Sequence, residues 1–74
     1  MPSLPIISGE DAAKAVEKAG WKFVRQKGSH MIFIKDGCRR PLPIPNHHEL
    51  DRGTLRGIIR QAGLTVDEFI ELLK

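Results

Sequence analysis

Three histidines and one block of cations hold most of the chemistry available to this 74-residue chain. Tyrosine is absent, the single cysteine (Cys38) has no base beside it, and no serine sits in a Gly-x-Ser-x-Gly elbow, so a nucleophilic hydrolase has no clear agent. Glycine-rich phosphate loops are missing too, because Gly28 and Gly37 stand alone. Residues 21–40 hold six Lys/Arg (Lys22, Arg25, Lys27, Lys35, Arg39 and Arg40) against Asp36 alone, a net of +5, while residues 1–20 and 41–74 each come to −1. Carboxylates are so scarce in that block that a two-metal nuclease site lacks ligands. What the block does contain is His30, flanked in sequence by Lys27 and expected to be flanked in the sheet by residues near Arg25 or Arg39. An imidazole titrates near neutrality and can move a proton, and lysine or arginine around it can steady charge developing on a phosphate. Those are the requirements of RNA cleavage, in which the substrate's own 2′-hydroxyl attacks the adjacent phosphate and no metal need supply the nucleophile.

Plainer accounts exist for the same residues. Charge gathered in one segment is the footprint of a polyanion-binding face, yet lysine and arginine also defend exposed sheet edges. A histidine at the head of a strand can be a polar residue at a solvent boundary. His47 and His48 lie in the loop Pro45-Asn46-His47-His48, where they can serve as ordinary loop or capping residues, and adjacent histidines rarely chelate one ion. One cysteine cannot form an internal disulfide, and Cys38 reads as a small incidental thiol. Three functional classes follow: a metal-independent endoribonuclease, a non-catalytic RNA-binding module, and a protein-interaction module built on a sheet.

The elements that must position these groups are readable from period and punctuation. Ser8 as N-cap with Asp11 three residues on, then Ala12, Ala15, Val16 and Ala19 at helical spacing and Gly20 as a stop, predict a first helix with a small-residued buried stripe. Trp21–Gln26 reads as a strand, Lys27-Gly28-Ser29 as a turn, and His30–Lys35 as a second strand. The four consecutive apolar residues of that second strand predict a central position with both faces at least partly covered. Asp36-Gly37 signals a tight hairpin into a third strand, Cys38 to about Ile44, which Pro41 and Pro43 confine to an edge. Leu55, Ile58, Ile59 and Ala62 mark a second helix from the Asp51–Thr54 region to Ala62, with Arg52, Arg56 and Arg60 in a row on a neighbouring face. A Thr65…Glu68 capping box opens a short third helix with Phe69, Leu72 and Leu73 on its apolar side. The aromatic residues Trp21, Phe23, Phe33 and Phe69 mostly read as core. The order α-β-β-β-α predicts one α+β domain over residues 1–74, a three-stranded antiparallel sheet with helices packed on one face, plus a short C-terminal helix. Neither a secretory signal nor a membrane-spanning run is evident, so the expectation is a soluble, cytoplasmic protein with no membrane partner.

With those residues in view, the sequence resembles the HicA-type toxins, the mRNA interferase half of HicAB toxin–antitoxin pairs. The resemblance runs over nearly the whole chain. It covers the Ala19-Gly20-Trp21 step, Gly28-Ser29-His30-Met31-Ile32-Phe33 (a G-S-H-x-x-aromatic strand), Ile44-Pro45-Asn46-His47, and Gly53-Thr54-Leu55-Arg56-Gly57-Ile58-Ile59-Arg60-Gln61-Ala62-Gly63-Leu64. It implies a double-stranded-RNA-binding-domain-like fold with His30 of the G-S-H motif as the catalytic residue. His47 matches the family's second recurrent histidine in P-x-H, and Ser29 of the same G-S-H motif is a further auxiliary candidate; His48 has no counterpart. The resemblance also implies cleavage of mRNA without a dedicated metal or other cofactor, and neutralisation by a HicB-type antitoxin that covers the active site. The expected contacts to single-stranded mRNA fall on Lys22, Arg25, Lys27, Lys35, Arg39 and Arg40. With few exposed aromatics for stacking, phosphate contacts are expected to supply much of the affinity.

Overall fold

The computed structural model describes residues 4–74 and has the order α1 (Gly9–Lys18), β1 (Lys22–Lys27), β2 (His30–Ile34), β3 (Leu42–Pro45), α2 (Arg52–Gln61) and α3 (Val66–Leu73). The three strands form one antiparallel sheet in the order β1-β2-β3. This is the α+β architecture expected from the sequence, with β2 central and the helices gathered on one face.

Local chemistry starts each helix where the sequence places it. Ser8 caps α1 by accepting from the Asp11 N–H at 3.1 Å while Asp11 accepts from the Ser8 N–H. Thr65 and Glu68 repeat that reciprocal box at α3. Asp51 caps α2 through the Thr54 N–H at 2.7 Å. Such caps satisfy donors that a helix's first turn leaves without intrahelical partners. The buried side of α1 is Ala12, Ala13, Ala15 and Val16, small enough for the helix to lie close to the sheet and to α3.

The core lies between the helices and one face of the sheet. Met31 and Phe33 from β2, Leu42 and Ile44 from β3, Leu55, Ile58 and Ile59 from α2, and Phe69 from α3 are all buried. Residues alternate between the two faces of a strand, so β2 presents His30, Ile32 and Ile34 to the opposite side. Among the described residues no helix covers that side. Ile32 is half-buried and Ile34 is 47% exposed, so this face of β2 is covered only in part, as the apolar run led one to expect. Phe23, which reads as core in the sequence, is also covered only in part. It stands opposite Phe33 and meets that ring edge-on at 5.7 Å between centroids, yet it remains 50% exposed because β1 overhangs the core. No helix among the described residues is long and apolar enough to cross a membrane.

The third strand begins later than its sequence suggests. The Lys35 carbonyl accepts from the Cys38 N–H at 3.0 Å, and Gly37 takes φ 86°, so the Asp36-Gly37 turn forms. The chain then runs unpaired through Arg39, Arg40 and Pro41 before it joins β2 at Leu42. Proline has no N–H to give to a ladder, and pairing starts only beyond Pro41.

Candidate functional site

His30 opens β2 directly after a two-residue turn. Gly28 has φ 60° and Ser29 does not have positive φ, which suits a type II′ hairpin with glycine at its first central position. That turn sets the register: His30 stands opposite Lys27 on β1 and opposite Pro45 on β3. The imidazole is exposed on the open face of the sheet.

An irregularity in β1 brings further cations to that face. Lys22 pairs with Ile34, Phe23 with Phe33, and then Arg25, not Val24, pairs with Ile32. A bulge of this kind adds one residue to one strand and so reverses the alternation that follows it. By simple alternation Lys22 and Arg25 would point to opposite faces. With the bulge at Val24, Lys22, Arg25 and Lys27 all share the open face with His30, Ile32 and Ile34. Val24 itself is 42% exposed. The open face is therefore a column of three cations beside a column of histidine and isoleucines, bounded by Pro43 and Pro45.

Not all of the basic block arrives there. β3 runs antiparallel to β2, with Leu42 against Phe33 and Pro45 against His30. Arg39 and Arg40 precede Leu42, so they lie at the end of the sheet away from His30, as does Lys35 just past the end of β2. The sequence-based expectation that Arg39 could flank His30 is corrected by this register, whereas Lys27 and Arg25 do share its face. The cause is the antiparallel direction of β3, whose first residues follow the turn at the Ile34 end of β2 and whose last residue, Pro45, reaches His30.

Ser29 and the His47 loop are joined to the His30 end by backbone hydrogen bonds. The Asn46 N–H donates to the Ser29 carbonyl at 2.6 Å, extending the pairing one step past Pro45. The His47 carbonyl accepts from the Gly9 N–H at 2.8 Å, which ties the loop to the start of α1. Gly9 is required at this junction, since a Cβ there would overlap the Pro45 carbonyl oxygen. Nothing in the sequence reading singled Gly9 out; a glycine in a helix's first turn was its only signal. Asn46, His47 and His48 line a shallow hollow of about 360 Å³ with Ser8 and Glu10. His48 therefore faces this hollow with His47, although the sequence motif reaches only His47. Among the described residues no group of three His, Cys, Asp or Glu side chains is arranged to hold a metal ion. Exposed Cys38 lies in the Lys35–Pro41 connection, at the end of the sheet opposite His30.

A family model described as the HicA toxin of bacterial toxin–antitoxin systems matches residues 9–64. Among solved structures, a chain of a toxin–antitoxin complex from Streptococcus pneumoniae is 41% identical and superposes with a TM-score of 0.71, over 78% of this chain and 98% of that one. No curated protein matches the chain.

Proposed function

The chain belongs to the HicA toxin family of bacterial toxin–antitoxin systems, and from that premise we propose that it is an endoribonuclease that cuts single-stranded regions of mRNA at His30. The observation that carries this reading is the open face of the sheet, where an exposed histidine stands opposite Lys27 and diagonal to Arg25 with no described residue covering it. In the reaction the 2′-oxygen forms a bond to the adjacent phosphorus and the bond to the 5′-oxygen breaks. The products are a 2′,3′-cyclic phosphate and a 5′-hydroxyl end. A proton must leave the 2′-hydroxyl and one must reach the departing 5′-oxygen; His30 carries one of these transfers. Lys27 and Arg25 steady the extra negative charge on the phosphorane. Because the nucleophile belongs to the substrate, the step needs no metal. Ser29 and His47 are the auxiliary candidates, held near His30 by the Asn46–Ser29 backbone bond.

Val24, at the bulge, and Ile34, on the open face, expose apolar surface beside the same cations. That combination suits a protein partner with acidic and apolar side chains, and a HicB-type antitoxin seated there would close His30 to RNA.

The test is His30→Ala, assayed for RNA cleavage, RNA binding and growth arrest, with and without an antitoxin co-expressed. Loss of a proton-transfer group is expected to slow cleavage by about 10²- to 10⁴-fold while RNA binding persists. A folded variant that cleaves as fast as wild type ends the proposal.

A further inference from the structure

Three of the chain's arginines belong neither to the basic block nor to the sheet. Arg52, Arg56 and Arg60 recur at i, i+4 and i+8 on α2, and all three are exposed beside its buried Leu55–Ile58–Ile59 side. At 1.5 Å per residue they stand about 6 Å apart along the axis, in a row about 12 Å long. Among the described residues no acid pairs with them. The one ion pair there joins Lys74 to Glu71, and the carboxylate adjacent in sequence, Asp51, accepts from the Thr54 N–H at 2.7 Å and its hydroxyl at 3.1 Å.

The row weakens its own helix, since like charges at i,i+4 repel. So do Gly53 and Gly57, glycines inside a helix with no packing reason to be there. A Cβ at Gly57 would meet nothing within 4 Å, and one at Gly53 only the Asp51 carboxylate at an ordinary 3.5 Å. By helical geometry these two positions lie next to the arginine row, so α2 carries unpaired guanidinium groups alongside bare backbone.

The placement of α2 gives the row a direction. It starts a few residues after Pro45, the partner of His30, and returns to the opposite end of β3, where Gln61 lines a small hollow with Arg40 and Pro41. The arginines thus run from the His30 end of the domain toward Arg40, which the sheet register had separated from the site.

We propose that Arg52, Arg56 and Arg60, continued by Arg40, form a second phosphate-binding track that holds single-stranded RNA to one side of the cleavage point. The proposal rests on the nuclease reading of His30. The regular rise of the row is close to the separation of successive phosphates on a strand, and guanidinium forks bind phosphate oxygens in pairs. Exposed Gly53, and half-buried Gly57 where a Cβ would meet open space, leave room for the strand to lie against the helix. An acidic protein segment would also meet positive charge here, but it would gain nothing from the even spacing.

The test measures binding of a short single-stranded 2′-O-methyl RNA, which cannot be cut by 2′-hydroxyl attack, across a series of salt concentrations. The wild-type chain is compared with Arg52→Gln/Arg56→Gln/Arg60→Gln and with a control, Lys14→Gln/Lys18→Gln/Lys74→Gln, that loses the same charge on the α1–α3 side. For single strands each phosphate contact contributes roughly 0.7 to the slope of log affinity against log salt. The arginine variant is therefore expected to flatten the slope by about 2 and to bind at least about tenfold more weakly at low salt. The control should change by less than half as much, and replacing the three arginines with lysine should restore most of the slope. Circular dichroism identifies any variant that fails to fold. Equal losses in the arginine variant and the control overturn the track, because net charge alone then explains the effect. Unchanged RNA binding overturns it as well, including the outcome in which the arginine variant loses only an acidic protein partner. A wild-type chain that binds no RNA at any salt sinks the track and the nuclease reading together; one that binds and is matched by the arginine variant sinks the track alone.

Discussion

His30 acquires its neighbours through strand register more than through sequence proximity. The Gly28-Ser29 turn puts Lys27 opposite it, and the Val24 bulge turns Arg25 toward the same face. Arg39, of the same basic block, lies at the far end of the sheet because it follows the turn at the Ile34 end of the antiparallel β2–β3 pair. These placements separate two substitutions that remove the same charge. Lys27→Ala is expected to lower kcat/KM for RNA cleavage by about 10- to 100-fold, within the range for loss of a transition-state charge partner. Arg39→Ala should change it by less than about threefold, through binding alone. Equal losses in a single-turnover assay would show that register does not choose the catalytic cation. The sequence could suggest that Lys27 lies near His30, since both adjoin the Gly28 turn. It places Lys27 inside that turn, whereas in the structure Lys27 is the last residue of β1 and pairs with His30. It could not show Arg25 on the same face, because a bulge leaves no reliable mark in a six-residue strand whose alternation is already imperfect. Nor could it show Gly9, whose requirement comes from the Pro45 carbonyl more than thirty positions away.

At the scale of elements, caps were the most legible feature and strand limits the least. Ser8–Asp11, Asp51–Thr54 and Thr65–Glu68 each act within four residues, so the chemistry that starts a helix is written next to it. The start of β3 depends on where a proline-interrupted segment can find a partner on β2, which local sequence does not encode. The Asp51 cap also makes a pH prediction. Hydrogen bonds from the Thr54 N–H, then from its hydroxyl, hold the Asp51 carboxyl below its ordinary value of 3.8 in the folded chain. A group with a depressed folded-state pKa stabilises the fold above its unfolded pKa and loses that contribution as pH falls through the folded value. The urea midpoint is therefore expected to fall between pH 5 and pH 2, and part of that fall belongs to Asp51. Asp51→Ser keeps a capping oxygen that does not titrate. It should leave the midpoint near neutrality little changed and make its decline in acid shallower. An acid decline as steep as that of wild type would remove Asp51 from the account.

For the molecule as a whole, the question is what a chain of this length can spare. Typical stabilities of about 0.05–0.15 kcal/mol per residue put a 74-residue domain at roughly 4–11 kcal/mol. α3 lies beyond the family-matched segment, residues 9–64, yet it inserts Phe69, one of the largest fully buried side chains, against the shared core and packs along α1. The Thr65 box and the Phe69/Leu72/Leu73 spacing announced such a helix in the sequence. The extent of its burial depends on the small side of α1, where Ala12 and Ala15 let it approach. Phe69→Ala should cost about 3–5 kcal/mol, the usual loss for a buried phenylalanine, and lower Tm by about 12 °C or more for a domain of this size. Phe23→Ala provides the comparison, because that ring is half exposed on the overhanging strand and its loss should cost less than half as much. Thermal unfolding followed by circular dichroism distinguishes the two. If Phe69→Ala melts within a few degrees of wild type, α3 is an appendage, and the core must close through the α1–α2–sheet contacts alone. If it melts far below wild type while Phe23→Ala does not, the last turn of chain is as much part of the toxin fold as the strand that carries His30.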